Sequence, residues 1–128
     1  MIVIDESLSG QRLHSFTLEC LEERMSVREI IRARIWQEVQ DYNSQGLLSK
    51  FVGLIQPVDD EKRLNGDVRL KPKRVDWERQ YKTALRAFET NGFFILIGDR
   101  QAADLDEEFL IQPDTEVSFV KLVPLVGG

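Results

Sequence analysis

The sequence predicts an α+β fold: a mixed sheet with a helix packed across it, plus an inserted segment that carries a second helix. Three observations predict it. A β-branched run, Ile2-Val3-Ile4, is followed after a Gly-containing turn by alternation from residue 12 to residue 20, the period of a half-buried strand. Val27, Ile30, Ile31, Ile35 and Val39 then recur at helical spacing, which makes an amphipathic stripe. Phe93-Phe94-Ile95-Leu96-Ile97 is a short continuous apolar run, and residues 117–123 are β-branched and aromatic, the composition of strands inside a sheet.

Size and composition bound the rest. The 128 residues suit one domain, 1–128, with a core that needs no staples. Apolar content of 42% and charged content of 30% are those of an ordinary soluble globular protein. The net charge of −5 argues against nucleic acid as a partner, which calls for excess Lys and Arg. No apolar run approaches the roughly 20 residues that span a bilayer, so no membrane partner is expected. The opening residues have neither the basic region nor the long apolar stretch of a signal peptide. Cys20 is the lone cysteine, so no intramolecular disulfide forms, and a cytoplasmic location is the simplest expectation.

Each element has its own signals. Leu8-Ser9-Gly10-Gln11 is a turn. It joins Ile2-Val3-Ile4 to a strand with Phe16, Leu18 and Cys20 on one face and Ser15, Thr17 and Glu19 on the other. Ile2 and Ile4 are expected to face the same core as Phe16 and Leu18, with Cys20 a buried, unreactive thiol. Ser26 with Glu29 three residues on is a capping box. It opens a helix over 27 to about 42, whose solvated side holds Arg28, Arg32, Gln37, Glu38 and Asp41. Residues 47–55 are apolar without a period, and read as a short strand or a helical turn. The charge run 59–63 and the turn Asn65-Gly66 read as solvated loop, and the basic cluster Lys71-Pro72-Lys73-Arg74 reads as solvated loop or as a docking patch for an acidic partner, between which the sequence does not decide. Asp76 is an N-cap and Asn91-Gly92 a C-cap around a second helix, 77–90. Its Trp77, Tyr81, Ala84, Leu85 and Phe88 read most simply as core packing, with a partner groove as the alternative. The strand 93–97 is turned by Gly98-Asp99-Arg100-Gln101. A polar connection over 102–111 follows, with Leu105, Phe109 and Leu110 tucked inward.

Catalysis by this chain itself is not expected. His14 lies on a strand with no Ser or Cys placed to pair with it. Gly46, Gly53 and Gly66 do not have the spacing of a phosphate loop, and the acidic residues 104–108 lack the ordered pattern of a calcium loop. No metal or bound cofactor is expected.

The last residues are the distinctive stretch. Val117-Ser118-Phe119-Val120-Lys121-Leu122-Val123 runs into Pro124, which removes a backbone donor and ends the ladder. Leu125-Val126 continue the chain and Gly127-Gly128 finish it. Glycine has no Cβ, so such an end is thin enough to thread a narrow channel with its carboxylate leading. Fraying is the ordinary fate of a chain end. At about 7% glycine usage, though, two terminal glycines arise by chance in roughly one chain in 200.

In its order of elements the chain resembles the β-grasp fold, specifically ubiquitin and the prokaryotic sulfur carriers of thiamin and molybdopterin synthesis. The resemblance is carried by Met1-Ile2-Val3-Ile4, the turn Leu8-Ser9-Gly10-Gln11 and Phe16-Thr17-Leu18-Glu19. It is stronger in Phe94-Ile95-Leu96-Ile97-Gly98-Asp99-Arg100-Gln101 and in the final strand with its Gly-Gly end. It covers roughly residues 1–45 and 93–128. The insert, about 46–92, has no counterpart.

The resemblance implies a protein modifier. A cognate activating enzyme would adenylate the Gly128 carboxylate with MgATP and carry it as a thioester. A conjugating enzyme would pass it to an amine on a target protein, and a deconjugating peptidase would reverse the bond. Pro124, Leu125, Val126 and Gly127 form the tail the activating enzyme grips. Cassettes of this kind occur in bacteria, some linked to antiviral defence. Two alternatives stay open. One is a sulfur carrier that forms a C-terminal thiocarboxylate for cofactor biosynthesis, favoured by Pro124. The other is a non-conjugated interaction module.

Overall fold

The computed structural model describes residues 1–20, 22–45, 53–55 and 75–122. It shows a mixed α+β arrangement with two helices and seven strands among those residues. The strands are β1 (Ile2–Glu6), β2 (Arg12–Thr17), β3 (Arg24–Ser26), β4 (Phe93–Ile97), β5 (Arg100–Gln101), β6 (Glu108–Leu110) and β7 (Glu116–Lys121). The helices are α1 (Val27–Gln45) and α2 (Trp77–Glu89). Neither is long and apolar enough to cross a membrane.

The main sheet has the order β2-β1-β7-β4-β5. β1 is antiparallel to β2 and parallel to β7, and β7 is antiparallel to β4. The last strand is therefore the central one, held on both edges. A second, two-stranded sheet pairs β3 with β6, Met25 opposite Phe109.

α1 begins where the capping chemistry places it. The Glu29 N–H donates to Ser26 Oγ at 3.1 Å, and the Ser26 N–H donates to Glu29 Oε1 at 3.4 Å. The first-turn N–H groups that no helix can satisfy itself are met from outside: Val27 donates to the Glu107 carbonyl and Arg28 to that of Leu105. The helix runs to Gln45, a turn past the expected end. α2 is capped by the Asp76 side chain, which accepts from the Glu78 N–H at 3.0 Å. At its far end Asn91 takes φ 63°, and the Gly92 N–H bonds to the Ala87 carbonyl, a left-handed helix stop.

Both helices pack on one face of the sheet. That face carries Val3, Leu18, Val117, Phe119, Phe93, Ile95 and Ile97, which join Val27, Ile30, Ile31, Ile35 and Val39 of α1 and Ala84 and Phe88 of α2 in one core. Asn43 fixes the approach to α2 by pairing through both amide atoms with the Val75 backbone, 3.0 Å each.

Four expectations need correction. Ile2 and Ile4 do not share a face with Phe16. Val3 pairs with Phe16, and Ile4 pairs with Ser15 on the opposite side. The reason is Asp5, which must point at α1 to reach Arg34. Glu38 is not on the solvated side of α1: it is only 9% exposed. Leu110 does not tuck inward but is 55% exposed, because β6 pairs with β3 as a strand and only its middle residue, Phe109, faces the core. The apolar stretch 47–55 is described only at 53–55, a buried bend. The loop 59–63, the turn 65–66 and the basic cluster 71–74 lie outside the described residues. Cys20 is half-buried rather than fully buried.

Candidate functional site

Pro124, Leu125, Val126, Gly127 and Gly128 lie outside the described residues. The structure describes the point from which they depart. β7 runs through the middle of the sheet, and beyond it the Leu122 N–H donates to the Gly92 carbonyl at 3.0 Å. Leu122 is 36% exposed. Because β1 is parallel to β7, with Glu6 opposite Val120, the β1–β2 turn lies at the same end of the sheet. That turn carries Leu8, 70% exposed.

Directly beneath this end lies a buried charge cluster. Arg34 of α1 is fully buried. Its Nη1 and Nη2 donate to Asp5 Oδ1 and Oδ2 of β1 at 2.5 and 2.7 Å, a bidentate pair. Its Nε and Nη2 donate to Glu38 Oε1 and Oε2 at 3.1 and 3.4 Å. The guanidinium lies over the Phe119 ring, 4.5 Å from the centroid, with the Phe16 ring at 5.7 Å. Aromatic faces suit a desolvated cation. The Leu54 N–H also donates to Glu38 Oε1, at 3.3 Å. Lys121, two residues beyond Phe119 on β7 and half-buried, adds an ammonium whose field reaches Asp5, Arg34 and Glu38.

The charges shift one another. Burial disfavours the Arg34 cation, but Glu38 and Asp5 outweigh it and push its value up. Burial raises the Glu38 carboxyl above the usual carboxylate range, Arg34 and the Leu54 N–H pull it partly back, and Asp5 adds to the rise. Burial lowers the Lys121 ammonium below the usual lysine range against the attraction of Asp5. One guanidinium thus serves two carboxylates.

Sequence reasoning missed this cluster, although the signal was there. Stepping by three and four from Val27 and Ile30 along the apolar stripe lands on Arg34 and Glu38. Two polar residues inside an apolar stripe call for a buried partner, and Asp5 is that partner. The other candidate groups stay apart from it chemically. His14 is exposed beside Phe16, ring centroids 5.6 Å apart. The Cys20 thiol donates to the Leu18 carbonyl at 3.9 Å, and burial pushes its value up, away from the reactive thiolate. Among the described residues no group of three or more His, Cys, Asp or Glu could hold a metal ion.

Comparison with family models, with curated proteins and with solved structures gave no match.

Proposed function

We propose that the chain is a ubiquitin-like protein modifier built on a β-grasp sheet. The observation that supports it is the place of β7. The C-terminal strand is central, parallel to β1 and antiparallel to β4, so residues 123–128 follow the strand of the sheet with a partner on each edge. In this reading the body supplies a rigid root, and the reacting group is the Gly128 carboxylate. A partner enzyme joins that carboxylate to AMP from MgATP with loss of pyrophosphate. A cysteine thiolate then displaces AMP, and a target amine displaces the thiol to leave an amide. Gly127 keeps the tail slender, and Pro124, Leu125 and Val126 give the activating enzyme apolar grip. The chain is substrate throughout and not the catalyst.

The sulfur carrier is the second reading, favoured by Pro124. Both readings share adenylation and part afterwards. Mass spectrometry of the protein recovered from its host separates them. The modifier reading expects Gly128 in amide linkage to a protein amine. Replacement of a terminal oxygen by sulfur would establish the carrier instead. A Gly128 carboxylate that stays unmodified in the host would sink both and leave an interaction module.

A further inference from the structure

Between the end of α2, the start of β4 and residues 101–106 lies a cleft of about 670 Å³. That volume is within the range of ligand-binding clefts, about 300–1,000 Å³. Its floor is apolar, made by Phe88, Phe93 and Leu105, which are otherwise buried in the core. Its rim carries three carboxylates, Glu89, Asp104 and Asp106, and one guanidinium, Arg28. Arg28 Nη2 lies 3.5 Å from Asp106 Oδ1 and neutralises it. Asp104 Oδ1 accepts only from the Asp106 N–H, at 2.9 Å, and among the described residues the exposed Glu89 side chain has no ion pair. Two uncompensated anions therefore remain on the rim. Glu89 is also the last residue of α2, where the helix end is negative and a cation is the favoured side chain. Arg86, one turn back, has the favoured sign but forms no ion pair with it. A carboxylate at that position breaks a local rule without compensation inside the chain, and such breaks concentrate at functional sites.

We propose that this cleft docks a basic segment of a partner polypeptide, with an apolar side chain on the floor and a lysine or arginine to either side, at Glu89 and Asp104. The occupant follows from the two surfaces together. A free polyamine meets the carboxylates but leaves the floor bare. A neutral or acidic segment covers the floor but leaves the carboxylates unpaired. In an extended chain, residues two apart share a face about 6.6 Å from one another, so one strand of polypeptide presents a basic, an apolar and a basic side chain to the same cleft. α2 belongs to the inserted segment, so the cleft exists because that helix packs against the body. The assignment does not depend on what becomes of Gly128.

Amide chemical shifts of the full chain, titrated at low salt with the peptide acetyl-Lys-Ala-Leu-Ala-Lys-amide, test it. The amides of residues 89–94 and 101–106 should move together and saturate, while those of β2, at the other edge of the sheet, should stay still. Serine in place of the peptide's leucine should weaken binding by at least about threefold, since the floor is then unused. Glu89→Lys should weaken it by about fivefold, with the melting temperature unchanged or raised because lysine suits the helix end. Glu19→Lys makes the same change of net charge at an exposed position beyond β2 and should leave the affinity as it was. Shifts that do not saturate at the cleft would overturn the proposal, as would equal binding of the serine peptide or an equal loss in E19K. Spermine that moves the same amides with the same affinity as the peptide would show a polyamine site instead. If E89K does not fold, the leucine and serine peptides on the wild-type chain decide.

Discussion

Arg34 sets the electrical balance of the interior. It lies between two buried carboxylates and over an aromatic ring, so removing it strands two anions in the core. Breaking a buried ion pair from one side costs about 3–5 kcal/mol. Arg34→Met is expected to lose that much in denaturant unfolding at neutral pH, with the loss shrinking in acid as protons neutralise the stranded groups. A loss below about 1 kcal/mol would show that water reaches the cluster. Gln80 is the opposite case. It is buried on α2, and its Oε1 accepts no hydrogen bond among the described residues. An unsatisfied buried acceptor costs roughly 1–3 kcal/mol, so Gln80→Met is expected to raise stability by about 1 kcal/mol in the same assay. Arg34 and Glu38 were legible as anomalies of the helical stripe. Their partner was not, because nothing local ties Asp5 to a helix 29 residues away. With apolar residues at 2, 3 and 4, the β1 pattern fits either facing, and a one-residue shift exchanges the faces. The long-range pair decides it.

At the scale of elements, what could be read from sequence is what local chemistry controls. Both ends of α2 and the start of α1 fall where their caps predict, because each cap is a bond between residues two to five apart. Ser26→Ala removes the acceptor for the Glu29 N–H and is expected to cost about 1 kcal/mol. Asn91 ends α2 at φ 63°, a conformation that costs an ordinary L-residue about 1–2 kcal/mol. Asn91→Ala should therefore lower the melting temperature, and Asn91→Gly should not, although both remove the same side-chain amide. Equal losses in the two variants would mean that the amide, rather than the backbone, matters there. The far end of α1 and the strand β6 were not legible, since each depends on packing across the chain. α1 continues past Tyr42 where Asn43 reaches the Val75 backbone, and β6 exists because β3 lies beside it.

The whole molecule poses the question of what the body does for its C-terminal residues. The Gly-Gly end was legible because it is a pattern of composition and needs no fold to be seen. The strand beneath it, central in the sheet and paired on both sides, joins that pattern to a rigid support. On the modifier reading proposed above the body serves as a holder, and body and tail are energetically separate: among the described residues the core reaches Val120 and the ladder bonds reach Leu122. Deleting Gly128 is then expected to change unfolding free energy by less than about 0.5 kcal/mol, as for a surface change, while abolishing thioester formation with the activating enzyme. Leu125→Asp is the sharper test, because it keeps the carboxylate and alters only the grip. It should weaken the encounter with that enzyme at unchanged melting temperature. A fall in melting temperature equivalent to 2 kcal/mol or more, about what burying a leucine contributes, would place Leu125 in a packed surface of the body. The tail would then be part of the fold, and a modifier whose end must be threaded into another protein could not be built that way.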